Sequence, residues 1–176
     1  GHFSQEGREL DLNQRVYDFI HEIAREVRTE EGTFSAKQMM ERFLFPSDLQ
    51  SVPIGRLSGG ERRRVAIAGV LAMDTDVLVL DEPAAGLDPK GREEILGRIR
   101  AWQRAKNKTV ILISHSMEDM ARYADELVVL KDSRLLMHEK TSAVFQKPDV
   151  IESAGLTLPQ ITRILNRLSH LGIPGG

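Results

Sequence analysis

The sequence predicts an α/β fold built on a mainly parallel sheet, and three features predict it. Val77-Leu78-Val79-Leu80 is an unbroken apolar run that ends in the paired acids Asp81 and Glu82. Thr109 to Ser114 is a second such run. Apolar runs without polar alternation read as strands buried on both faces of a parallel sheet. Between them lies a stretch of helical periodicity, and strands alternating with helices imply parallel pairing.

From the N-terminus, Asp11 and Gln14 are spaced as a helix-start box. Val16, Ile20, Ile23 and Val27 recur at helical spacing, so residues 12–28 are predicted as an amphipathic helix. Glu30 to Thr33 reads as a loop centred on Gly32. Ser35 and Gln38 form a second box, opening a short helix through Met39, Met40, Phe43 and Leu44 that Pro46 stops. The Met pair reads as gap-filling core. Ser58 and Glu61 form a third box and open a helix to about Met73. Asp88 caps, and Pro89 starts, a helix with Ile95, Ile99 and Trp102 on one stripe. Met117 to Ala124 reads as a short helix. Glu126–Lys131 and Arg134–His138 form a hairpin across Asp132-Ser133. A tail helix after Thr157 carries Ile161, Leu165, Leu168 and Leu171, and Gly172 ends it.

A chain of 176 residues is one domain or a large part of one. Its apolar content of 41% is enough for a packed core. A net charge of −2 argues against a nucleic-acid binder held mainly by phosphate neutralisation, and 5% aromatics argues against base-stacking platforms. The absence of cysteine excludes disulfides and thiolate metal sites and suits a reducing compartment. No apolar run has the length of a membrane span and no signal-peptide pattern stands at the start. The chain is therefore expected to be soluble and to meet a membrane only through a partner.

The chemistry gathers at three places. In open α/β sheets, ligands bind beyond the carboxyl ends of the strands. There Asp81 can hold the water shell of Mg²⁺, which takes few protein oxygens, and Glu82 can polarise an attacking water. A bare acid pair would read as an exposed strand end, but the preceding Leu-Val-Leu and the following Pro83 favour function. Ser58-Gly59-Gly60 puts a hydroxyl and unhindered backbone N–H groups at a helix start, where unpaired donors and the helix dipole suit phosphate. His115 ends the next strand, where an imidazole can contact a γ-phosphate. Gln5 follows what could be a strand end, so its amide could reach Mg²⁺ or the water. Arg62, Arg63 and Arg64 read equally as a solvated helix face or a partner contact. His2, His21, His138 and His170 have no such setting and read as structural or solvent-facing.

These residues resemble the ATP-binding cassette (ABC) family over nearly the whole chain. Leu57-Ser58-Gly59-Gly60-Glu61 is similar to the signature motif, Val77 to Asp81 to Walker B with Glu82 as catalytic glutamate, and Ala85 to Asp88 to the D-loop. His115 is similar to the switch histidine and Gln5 to the Q-loop glutamine. The resemblance implies a partial P-loop NTPase fold, the ABC nucleotide-binding domain, with an α-helical subdomain. It implies ATP and Mg²⁺ as ligands. Glu82 and His115 would be catalytic, with Glu82 the general base and His115 the γ-phosphate sensor. Gln5, Leu57, Ser58, Gly59, Gly60, Glu61, Asp81 and Asp88 would bind nucleotide, and Asp81 and Gln5 would meet the metal through water. Ser58, Gly59 and Gly60 would bind the nucleotide of a second cassette subunit in a homo- or heterodimer. No Gly-x-x-x-x-Gly-Lys-Ser/Thr occurs in the 176 residues, so the cassette is expected to be incomplete and, alone, inactive.

Residues 65–176 resemble the ATPase subunit of energy-coupling factor (ECF) transporters, through Val65 to Met73, Ala85 to Arg92 and Gly155 to Thr162. Residues 1–64 are similar to the soluble ABC-F group, through Gly1 to Leu10 and Met39 to Pro46. The expected organisation is residues 1–56 as Q-loop and α-helical subdomain, 57–150 as signature, Walker B, D-loop and H-switch core, and 151–176 as an ECF-like helical tail. The resemblance implies an ATP-hydrolysing subunit of an ECF-type importer of vitamins or metal ions. Such a subunit would be cytoplasmic, peripheral on the inner face of the cell membrane, and bound to a membrane transporter subunit. The alternatives are a ribosome-associated ABC-F ATPase, the one reading that brings in nucleic acid, or a non-functional chimeric fragment joined near Glu61-Arg62-Arg63-Arg64.

Overall fold

The computed structural model describes residues 2–3, 10–29, 32–42, 47–73, 75–160 and 162–164. In chain order the elements are β1 (His2–Phe3), α1 (Val16–Ile23), β2 (Glu26–Thr29), β3 (Gly32–Ser35), α2 (Ala36–Arg42), α3 (Ser47–Gln50) and a 3₁₀ turn (Ile54–Arg56). They continue with α4 (Gly59–Ala72), β4 (Val77–Asp81), α5 (Pro89–Lys106), β5 (Thr109–Ile113), α6 (Met117–Tyr123), β6 (Glu126–Lys131), β7 (Arg134–Lys140), α7 (Thr141–Val144) and α8 (Pro148–Ser153). The chain divides into two units, Gly1–Ile113 and Ser114–Gly176.

The first unit is built on a parallel sheet in the order β1-β4-β5. β4 and β5 pair from Val77↔Thr109 to Asp81↔Ile113, and β1 pairs with β4 at His2↔Val79 and Phe3↔Leu80. Leu78 and Leu80 are fully buried, whereas Val77, Ile111 and Ile113 are 46%, 48% and 50% exposed. The expectation that both runs are buried on both faces is therefore corrected. Alternate side chains point to opposite faces, and among the described residues only the face bearing Leu78 and Leu80 is covered.

The predicted helix over 12–28 is shorter. α1 starts at Val16, with Arg15 at its N-cap and no side-chain cap. Asp11 instead closes a turn, its carboxylate accepting from Asn13 N at 2.9 Å and its carbonyl from Gln14 N at 3.0 Å. Past Ala24 the chain turns extended, and β2 pairs antiparallel with β3, Val27 opposite Phe34. Val27 fits a helical repeat, but Glu-Val-Arg-Thr also alternates polar with β-branched residues and so satisfies a strand. Gly32, at φ 129°, adopts a backbone that L-residues avoid. Glu30 and Glu31 of the predicted loop lie outside the described residues.

The second box forms as predicted, with Ser35 N donating to Gln38 Oε1 at 2.8 Å and Gln38 N to Ser35 Oγ at 3.3 Å. α2 ends at Arg42, and Phe43 to Pro46 lie outside the described residues. Val16, Ile20, Ala36, Met40 and Ile54 are buried in this part of the unit. α4 buries Val65, Ile67, Ala68, Gly69, Leu71 and Ala72. Gly69 admits α1 closely: a Cβ there would stand 2.8 Å from Phe19 Cε1 and 3.0 Å from Ile23 Cδ1. α5 begins where predicted, Asp88 Oδ1 accepting from Gly91 N at 3.2 Å, and Ile95, Ile99 and Trp102 are buried.

In the second unit, Ser116 caps α6 and the β6–β7 hairpin turns on Asp132 and Ser133, at φ 49° and 59°. Two consecutive positive φ values match the right-handed twist of the flanking strands. Met117, Met120, Leu127, Val129, Met137, Val144, Ile151 and Leu158 are its buried apolar residues among those described. α7 and α8, too short to carry a periodic signal, were not foreseen from the sequence. Residues 162–164 of the tail helix are helical, while Ile161, Leu165, Leu168, Leu171 and Gly172 lie outside the described residues. Among the described residues no helix is long and apolar enough to cross a membrane.

Candidate functional site

Asp81 ends β4 half-buried, in register with Ile113 on the uncovered face. Glu82 extends the ladder by one bond, its N–H donating to Ile113 O at 2.9 Å. Its φ is 43°, a left-handed conformation that a residue with a Cβ keeps only when neighbouring contacts impose it. Two tight turns follow. Ala85 N donates to Glu82 O at 3.0 Å, with Pro83 at the position where its fixed φ suits a turn. Leu87 N donates to Ala84 O at 3.3 Å, with Gly86 at φ 73°. Asp88 then caps α5. The segment Asp81–Asp88 is thus a stiff corner that presents Glu82 at the sheet's carboxyl edge.

At the mouth of α4 the box closes in both directions: Ser58 N donates to Glu61 Oε2 at 2.7 Å and Glu61 N to Ser58 Oγ at 3.3 Å. The Ser58 backbone N–H and then the Ser58 hydroxyl hold the Glu61 carboxyl below its ordinary range; burial opposes them, and the Arg64 charge adds a still smaller lowering. The amides of Gly59 and Gly60 precede the first intrahelical partners and have no acceptor among the described residues. Gly59 faces open space, while a Cβ on Gly60 would sit 3.0 Å from Leu87 Cδ2. The helix mouth can therefore receive an anion over Gly59, and at Gly60 it packs on the corner that follows Glu82. Leu57 is buried beneath it.

Arg63 joins the two. Its Nη1 donates to Ala85 O at 2.9 Å and its Nη2 to Glu82 O at 2.5 Å. Neither reading of the arginine run, solvated face or partner contact, anticipated this. The signal was present: Arg63 lies three residues after Gly60 and four before the buried Ile67, on the inward face of α4. Treating three arginines as one charge run hid the phase of the middle one.

His115 is exposed, belongs to the second unit and stands one residue before the Ser116 cap. Gln5 lies outside the described residues. Among the described residues no three His, Cys, Asp or Glu side chains gather as a metal cage. A single strand-end carboxylate such as Asp81 nevertheless suits Mg²⁺, which keeps most of its waters.

The model of the family described as "AAA domain, putative AbiEii toxin, Type IV TA system" matches residues 2–120. The energy-coupling factor transporter ATP-binding protein EcfA2 of Clostridium tetani is 51% identical over 116 residues, 66% of this chain and 40% of that protein. EcfA2 of Listeria welshimeri is 44% identical over 137 residues, 78% of this chain and 48% of that protein. The chain thus spans less than half the length of these curated relatives. Among solved structures, cbiO1 from Clostridium perfringens, part of the ABC transporter complex cbiONQ, superposes with a TM-score of 0.57 at 35% identity. That match covers 74% of this chain and 51% of cbiO1. The ATP-binding cassette MJ0796, solved in a post-hydrolysis state with ADP and Pi, gives a TM-score of 0.64 at 24% identity, over 80% of this chain and 62% of its own, a likeness of fold.

Proposed function

We propose, because this chain belongs to the AAA domain family and has the fold of an ABC nucleotide-binding domain, that it supplies the signature and catalytic-glutamate part of an ATPase subunit in an ECF-type ABC transporter. The observation that carries the reading lies in the first unit. There an anion-competent helix mouth and a strand end bearing two acids are fastened to each other by Arg63 and by Gly60 against Leu87. Identities of 44% and 51% to ECF ATP-binding proteins favour the importer branch.

In this reading Ser58, Gly59 and Gly60, supported by Leu57 and Glu61, grip the phosphates of an ATP held by the P-loop of a second ATPase subunit. Asp88 meets that same shared site. Glu82 accepts a proton from the attacking water, and His115 reads the γ-phosphate. Asp81 and Gln5 hold Mg²⁺ through its waters, and the ion when bound neutralises phosphate charge. The working place is the cytoplasmic face of a membrane, through a transporter subunit.

The P-loop lysine normally provides much of the phosphate grip, and the 176 residues contain no such motif. Calorimetric titration of the chain alone with Mg-ATP is therefore expected to show no micromolar affinity. Mixing it with a P-loop-bearing ECF ATPase subunit is expected to give an ATP-dependent complex, which Ser58→Ala weakens and Glu82→Gln prolongs. Micromolar ATP binding by the chain alone, or no complex with the second subunit, overturns the reading.

A further inference from the structure

We infer that Arg63 is a positioning residue, whose guanidinium bridges the carbonyls of Glu82 and Ala85 and so fixes the catalytic carboxylate and ties it to the Ser-Gly-Gly helix mouth. This rests on the reading of Glu82 as general base. The geometry carries it in three steps. First, Glu82 sits at φ 43°, a conformation that persists only when the surroundings over-determine it. Its N–H is committed to Ile113 O, and its carbonyl accepts from both Ala85 N and Arg63 Nη2. A carbonyl oxygen has two lone pairs, and Arg63 is one of the donors that orient this one.

Second, the bridge needs a fork. Two donors of fixed spacing reach two carbonyls three residues apart, which a lysine, a single point of charge on a flexible stem, cannot do. Arg63 Nε is buried without an acceptor among the described residues, so the guanidinium is held by its terminal nitrogens on the corner and is not spread into solvent. Third, Arg63 lies on α4 one turn from Gly59 and Gly60. An anion drawn to those amides acts on the same rigid helix that grips Glu82, and Gly60 against Leu87 gives the helix a second hold on the corner. Occupancy of the helix mouth and the set of the general base are then mechanically one event.

The test uses the full chain with Arg63→Met, Arg63→Lys and, as a control on the same helix, Arg62→Met. NMR reports the left-handed state of Glu82 through its Cα and Cβ shifts, and hydrogen exchange reports the amides of Glu82, Ala85 and Leu87. With Arg63→Met, exchange at these amides is expected to rise by about tenfold or more relative to Ile67 and Leu71 inside α4, with the left-handed signature lost. Arg63→Lys is expected to fall between and Arg62→Met to match the wild type. In the complex with a P-loop-bearing subunit, Arg63→Met is expected to lower kcat about tenfold with KM for ATP within about twofold.

Unchanged Glu82 shifts and exchange in Arg63→Met overturn the inference. So does a uniform rise across α4 and the corner, which marks general destabilisation. Should Arg63→Met fail to fold, Arg63→Lys behaving as the wild type overturns it. A complex whose turnover ignores Glu82→Gln overturns the underlying reading instead, and the exchange data separate the two failures.

Discussion

Glu61 shows at single-residue scale how a sequence signal becomes a measurable quantity. The capping box holds its carboxyl below the ordinary glutamate range, foremost through the Ser58 N–H. The charged form is the one that folding favours. Its contribution is therefore complete above the ordinary value of about 4.3 and drains away as pH falls through the lowered folded value. Glu61→Gln keeps the box geometry and removes the charge. In urea unfolding at a series of pH values, wild type is expected to exceed Glu61→Gln by about 0.3–1 kcal/mol above pH ~5. The gap should shrink as pH falls below the ordinary glutamate value and through the lowered folded one, and a gap that stays constant into strong acid would refute this account. Ser58, Glu61 and Asp88 were legible in the sequence as helix caps because their partners lie three residues away. Arg63 was not, because its partners are 19 and 22 residues away. Asp11 misled because a residue that can cap a helix can equally close a turn.

Among the elements, α4 depends on a glycine in mid-helix. Gly69 faces Phe19 and Ile23 of α1, and the space admits no more than hydrogen. Replacing glycine by alanine in a helix interior gains about 1 kcal/mol of propensity. Against it stands the displacement of a ring edge and one flexible methyl, of similar size, so Gly69→Ala is expected to be near neutral. Gly69→Leu exceeds what those two side chains can yield and should cost about 1–3 kcal/mol, read from the urea midpoint at constant m-value. Equal stability of Gly69→Leu and wild type would mean that α1 does not press on α4 there. α4 was legible from its box and β4 from its apolar run, both strong local signals. The predicted helix over 12–28 overran because Val27 keeps helical phase while lying in a hairpin whose pairing, fixed at Val27↔Phe34, no local pattern displays.

For the molecule as a whole, the sheet of the first unit is half a layer. Its sequence reads as strands covered on both sides, yet Val77, Ile111 and Ile113 stay about half exposed. β5 pairs with β4 and, among the described residues, with no strand on its other edge. The relatives are more than twice as long as the stretch this chain shares with them. The apolar pattern is thus suited to a larger layer than these residues build, so burial was misread although strand positions were right. An unpaired edge beside an apolar face templates association between copies. Sedimentation velocity of the chain alone is expected to show an apparent mass that rises with concentration. Ile111→Lys with Ile113→Lys places charge on the uncovered face and should suppress the rise. Each change should cost within about 0.5 kcal/mol, as for other exposed sites. Leu80→Lys, on the fully buried face of the same sheet, should instead abolish cooperative unfolding, because a lone buried cation has no compensation. A wild-type chain that stays monomeric at every concentration would show that the exposed face is inert.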